Sequence, residues 1–238
     1  MSFAARKRFW KEVSIREENG LYRVELDGRA VKTPAKRDLM VAQKPLAEAV
    51  AEEWRALDEE IDPEKLPYTR YVNVALDRLQ DEAEPVVEMV AEYGGNDLIC
   101  YRTSDPEGLC LRQRDAWDPW LAWARSDLSA PLYAVEGVMH QDQPAESLAA
   151  LRAAVADHEP VPLAALYELV TLSGSLVLGL AVSRGALVAG EAWDLSRVDE
   201  TWQAEQWGRD AEADELAQAK RSSFLRAAEL LKLCNNEA

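Results

Sequence analysis

The stretch "KEVSIREENGLYRVELDGRAVKTP", Lys11–Pro34, decides the fold class. Val13 and Ile15 share one side of its first run; Tyr22, Val24 and Leu26 share one side of the second, with Arg23 and Glu25 opposite. Period-2 alternation of this kind is a strand signal. Asn19-Gly20 and Asp27-Gly28 interrupt it, and Asx-Gly pairs suit two-residue hairpins because both central residues take positive φ. The expectation is an antiparallel meander whose third strand is ended by Pro34 or lies at an edge. "DLMVA", Asp38–Ala42, adds one more short strand.

The period then changes. "KPLAEAVAEEWRAL", Lys44–Leu57, has Pro45 near a helix start and Leu46, Ala49, Val50 and Trp54 at helical spacing. "DEEIDPEKLP", Asp58–Pro67, is a charged connector, and the domain boundary is drawn near residue 60. The fold class is therefore α+β: a β-rich domain over residues 1–60, then a larger, mainly helical domain over 61–238. Helices are expected in Tyr68–Gln80, in Glu84–Asp97 up to Gly94-Gly95, and in Asp105–Leu128, where Pro119 kinks or restarts the helix. Further helices are expected at 144–158, 161–184, 186–195 and 197–233. "DLICYRT", Asp97–Thr103, reads as a short strand or buried extended piece, and "PLYAVEGV", Pro131–Val138, as strand-like.

Charge narrows the function classes. The chain of 238 residues carries 27 Lys+Arg and 43 Asp+Glu, a net −16. Residues 1–70 hold 14 of each sign, so the other 168 carry 13 bases, 29 acids and all of the −16. Nucleic-acid binding is not expected, because neutralising phosphates needs clustered Lys and Arg. The acidic part is tuned for solubility or for a basic partner. Cys100, Cys110 and Cys234 form no CxxC, which fits a reducing compartment. The basic start "MSFAARKRFWKEV" lacks the apolar core of a secretory signal. The longest uncharged run, 15 residues between Glu168 and Arg184, is short for a bilayer and reads as a buried helix. A soluble protein without membrane insertion is expected.

No catalytic constellation emerges. His140 and His158 are 18 residues apart, with no HExxH and no neighbouring Cys pair, and both read as surface residues. Ser173 and Ser175 in "TLSGSLVLG" do not form GxSxG, so these small residues read as close helix packing. "YGGND" lacks the pattern of a phosphate loop. No metal, cofactor or catalytic residue is assigned. An enzyme with an unfamiliar carboxylate site and a general adaptor remain rival readings, the first requiring clustered acids in a pocket and the second promiscuous binding.

Tryptophan is the unusual residue, with eight in the chain. Trp117, Trp120 and Trp123 are spaced by three, which places them on one face of a helix core. In "DETWQAEQWGRDAEADE", Asp199–Glu215, seven acids accompany one arginine. Trp202 lies four residues after Val198 and shares its stripe. Trp207 lies about 140° round the helix from Trp202. Either that helix is buried on two sides, or one ring reaches toward a partner, where tryptophans concentrate binding energy.

Several blocks together resemble one family. They are "VELDGRAVKTPAKRDLMV" (Val24–Val41), "LAEAVAEEW" ending at Trp54, "NDLICYR" (Asn96–Arg102), "LRQRDAWDPWLAW" (Leu111–Trp123) and "SRVDETWQAEQWGRD" (Ser196–Asp210). In this order they are similar to the mitochondrial and alphaproteobacterial "ATP-twelve" assembly chaperones, over roughly residues 8 to 233. The resemblance implies an N-terminal β domain, a C-terminal helical domain and a non-enzymatic role. It implies that the client is the free alpha subunit of the F-type ATP synthase, held against aggregation until the catalytic head assembles. The family's functional glutamate falls on Glu200, with Asp199 the second choice, and its tryptophan after the acidic helix corresponds to Trp54. Trp207 and Asp210 join these as candidate partner-binding residues. A monomer is expected, in the bacterial cytoplasm, or in the mitochondrial matrix if the chain is a trimmed mature form.

Overall fold

A computed structural model of the chain describes residues 7–137 and 139–235; Val138, at the end of the strand-like stretch, and the first six and last three residues lie outside the described residues. The strands form as the alternation requires. β1 (Val13–Glu18) and β2 (Leu21–Leu26) pair antiparallel with Val13 opposite Leu26 and Ile15 opposite Val24. Both turns take positive φ, 54° and 79° at Asn19-Gly20 and 49° and 76° at Asp27-Gly28. The Asp27 carboxylate also accepts the backbone N–H of Glu12 (2.9 Å) and Lys11 (3.0 Å), bonds that hold its pKa below the usual carboxylate value. β3 (Arg29–Ala30) and β4 (Met40–Val41) both pair with β2, at different points along it. The face opposite Val24 is not simply solvated: Glu25 is buried there and paired with Arg23 at 2.9 Å.

α1 (Lys44–Ala56) has Pro45 in its first turn and buries Leu46, Ala47, Val50 and Ala51. α2 (Pro67–Val74) runs into a π turn at Ala75–Leu79. That turn anchors the loop between β3 and β4, since Asp77 accepts Thr33 Oγ1 (2.5 Å) and the Ala35 N–H (2.9 Å), and Arg37 donates to the Leu76 carbonyl (2.6 Å). The remaining elements are α3 (Glu84–Ala91), β5 (Tyr101–Arg102), α4 (Glu107–Asp127), β6 (Val135–Glu136), α5 (Ala145–Ala156), α6 (Pro160–Ser173), α7 (Leu176–Ser183), α8 (Ala189–Leu195), α9 (Val198–Trp207) and α10 (Ala211–Asn235). β5 and β6 pair in parallel. The fold is thus α+β, a small N-terminal antiparallel sheet with a larger helical part.

The chain forms two compact units. One runs to Ala83 and takes in Pro160–Ala165 and the chain from Glu229; the other comprises Glu84–Glu159 and Leu166–Ala228. Strands give way to helices at Lys44, ahead of the boundary drawn near residue 60, and the first unit runs past that boundary to Ala83, taking in α1, α2 and its π turn.

Four local expectations are corrected. α4 does not restart at Pro119 but runs through it as one helix; residues 115 and 119 are both exposed, so the carbonyl that proline leaves unbonded can be hydrated. The helix expected over 161–184 breaks at Gly174, whose φ of 72° ends α6, and Ser175 then caps α7 by accepting the Leu178 N–H at 3.1 Å. Ser173 and Ser175 therefore serve helix ends; the close packing comes from Gly179, where a Cβ would lie 2.7 Å from Val170 Cγ2. His158 is half-buried, its ring bonded to the Ala154 carbonyl (3.0 Å) and Ser183 Oγ (2.6 Å), and desolvation lowers its pKa. Every residue of α7 is buried, which accounts for the long uncharged run. Among the described residues no helix is long and apolar enough to cross a membrane.

Candidate functional site

α9 is pinned along one side to α4. Gln113 Nε2 donates to Asp199 Oδ1 at 2.7 Å. Arg112 makes a two-bond fork to Glu205 (3.0 and 2.8 Å) while its guanidinium lies 4.9 Å from the Trp202 ring centre. The pairing depresses the Glu205 pKa and raises that of Arg112. Gly108 leaves room for the Trp202 ring, since a Cβ there would come within 2.6 Å of Trp202 Cη2. Just before α9, Trp117, only 1% exposed, donates Nε1–H to the Leu195 carbonyl at 2.8 Å. Trp120 and Trp123 are half-buried and meet edge to face at 6.2 Å. Steps of three drift 60° each way round a helix, so three rings cannot all point into one core.

The other side of α9 is open. Glu200, in the first turn, is exposed and pairs with Arg197 at 2.6 Å. The Ser196 hydroxyl donates to the Trp193 carbonyl at 2.7 Å and closes α8, and Arg197 stands at the cap position of α9. Trp207 ends α9 with 79% of its surface exposed, so its ring projects to solvent and not into a second core. Gly208 then turns the chain with φ 94° and ψ 165°, a conformation nearly confined to glycine. Asp210 accepts the N–H of Glu212 (2.9 Å) and Ala213 (3.4 Å), capping the start of α10. Between α8, α9 and α10 lies a cleft of about 320 Å³, walled by Trp193, Arg197, Glu200, Ala204, Arg209 and Asp214.

Asp199, Glu200, Trp207 and Asp210 therefore lie along α9 and the turn that follows it, with different duties. Asp199 holds α9 to α4, Asp210 starts α10, and Glu200 and Trp207 are the two that face outward. Trp54 belongs to the first unit. Its Nε1–H donates to Thr69 Oγ1 (3.1 Å) and its ring meets Trp10 edge to face at 5.2 Å, beside Glu53, which accepts the Thr69 N–H (2.9 Å) at the start of α2. Trp54 is thus engaged in packing within that unit.

Sequence reasoning missed Asp97. It is fully buried and accepts the N–H of Val177 (2.9 Å), at the start of α7, and of Ile99 (3.2 Å). Burial pushes its pKa up to about 6 against those bonds. An acid within a hydrophobic run, "GNDLIC", was the available signal. Among the described residues no three His, Cys, Asp or Glu side chains come together as a metal ion would need.

Comparison with known proteins gives the arrangement a family. A model described as ATP12 chaperone protein matches residues 7–125. The mitochondrial protein atp12 of Schizosaccharomyces pombe is 24% identical over 240 residues, covering 96% of this chain and 82% of that protein. The crystal structure of Atp12 from Paracoccus denitrificans superimposes with a TM-score of 0.92 at 44% identity, over 95% of this chain and 97% of that one. The Agrobacterium tumefaciens protein Atu1473 gives 0.91 at 41% identity, over 96% and 86%. With the family model covering half its length and solved relatives matching nearly all of it at above 40% identity, this chain belongs to the ATP12 chaperone family.

Proposed function

We propose that the protein is an assembly chaperone that binds the free alpha subunit of F-type ATP synthase and keeps it from aggregating before the catalytic head forms. Family membership supports a chaperone role. The site rests on two exposed side chains of α9, Glu200 in its first turn at the edge of a cleft and Trp207 at its end. A holder must bind surface that the finished complex will bury, and must then release it. One aromatic anchor with charges around it suits that task, because rim charges steer encounter while few anchors limit affinity. The protein acts as a monomer without nucleotide, in the bacterial cytoplasm or, like its mitochondrial relative in fission yeast, in mitochondria. Light scattering of refolding alpha subunit tests this. Scattering should fall when this protein is added without ATP; equal scattering, or protection only with ATP, would sink the reading.

A further inference from the structure

A second surface of the helical unit has the makings of a peptide groove. Arg114, Asp118, Leu121 and Arg125 form one stripe of α4, and the segment Leu132–Glu136 runs opposite them. Two hollows of about 380 and 260 Å³ lie between these walls and adjoin at Asp118 and Ala134, which wall both. The strand wall has an open edge. Gly137 N–H donates to the Arg102 carbonyl, and Val135 is in register with Tyr101, so residues 135 and 137 turn their backbone groups toward β5. Alternation then turns those of Glu136 away from β5, and Glu136 and its neighbour Ala134 are exposed. Just before β6 the backbone of Tyr133 is already paired, because the Gln143 amide donates to its carbonyl (3.0 Å) and accepts its N–H (2.8 Å).

The charge of the groove runs against that of the molecule. In a chain of net −16 it is lined by Arg102, Arg114 and Arg125 against Asp118 and Glu136. Asp118 is taken by Arg102 at 3.0 Å. Arg114 and Arg125 are exposed and no acid among the described residues holds them. Arg125 sits in the last turn of α4, where the helix dipole favours a cation, but Arg114 is mid-helix and has no such reason.

We infer that this groove binds an extended acidic segment of a protein partner, which adds a strand to the free edge of β6 and sets its carboxylates on Arg114 and Arg125. The two arginines are separated by ~16 Å of helix rise. Acids four residues apart on a strand lie on one face and ~13 Å apart, a gap the arginine side chains span. Backbone pairing gives affinity and the charges give choice of partner. The groove is distinct from the α9–α10 elbow and does not depend on which client the elbow holds.

The test uses the full chain and a fluorescein-labelled heptapeptide, Thr-Asp-Val-Thr-Val-Asp-Thr, read by anisotropy at low and moderate salt. The acidic peptide should bind and weaken with salt, whereas its two-lysine counterpart should not bind. The double change Arg114→Glu with Arg125→Glu should weaken binding by at least about tenfold. Methylating the peptide's backbone nitrogens, which leaves the protein untouched, should also weaken it by about tenfold. No binding, equal binding to the double variant, indifference to N-methylation, or equal binding of a single-stranded oligonucleotide would each overturn the inference.

Discussion

Asp97 and Glu200 are both acids near helix starts, and burial gives them opposite work. Asp97 is wholly enclosed, so its carboxyl is held by backbone N–H groups and kept partly protonated near neutrality, with a pKa of about 6 against an ordinary 3.8. A raised folded pKa means that this group's stabilisation is complete below about 3.8 and is lost as pH rises through about 6. Asp97→Asn keeps an accepting oxygen but cannot ionise. In urea melts the wild type should therefore gain roughly 2–3 kcal/mol relative to Asp97→Asn as the pH falls from about 7 to about 4. A difference that stays flat would mean that Asp97 does not titrate in that window. Glu200 has no such burden: its bond to Arg197 is an exposed pair of helical neighbours, worth only a few tenths of a kcal/mol. Its side chain is thus free to serve another protein. Which acid was which could not be read from the sequence, because enclosure of Asp97 comes from Ser175–Val177, about eighty residues away in the chain.

At the scale of elements, the sequence was most legible where conformation is dictated locally. The two Asx-Gly turns and the register they impose follow from φ alone, and β4 falls in the short apolar run Leu39–Ala42. The helix breaks at Gly174 and Gly208 were not legible. One glycine inside an apolar helical pattern costs only about 1 kcal/mol, so periodicity ran straight across both. The α4–α9 seam was also hidden, since Arg112 and Glu205 are 93 residues apart. Gly208 explains why glycine follows Trp207: the elbow needs a φ of 94° there, and an added Cβ would meet nothing within 4 Å. Backbone strain is then the whole cost of Gly208→Ala, on the order of 1–3 kcal/mol. Denaturant melts should show that loss with no change in slope; a variant as stable as the wild type would mean that the α9–α10 turn can be made another way.

Across the whole molecule the charge is uneven, with residues 1–70 neutral and the rest holding all of the −16. The α9–α10 elbow lies in that acidic part and carries its most exposed tryptophan, Trp207. Membership of a chaperone family, an exposed Trp207 and an exposed Glu200 on α9 support the proposal that the elbow is where the client is held. The direct measurement is a binding isotherm of purified, free ATP synthase alpha subunit with the wild type and with Glu200→Lys, run beside thermal melts of both chaperones. The account predicts melts within a few degrees, since only an exposed ion pair is lost, and binding weaker by at least tenfold, since an interfacial charge pair is worth on the order of 1.5–7 kcal/mol. A Glu200→Lys protein that melts early yet binds alpha subunit as the wild type does would contradict it.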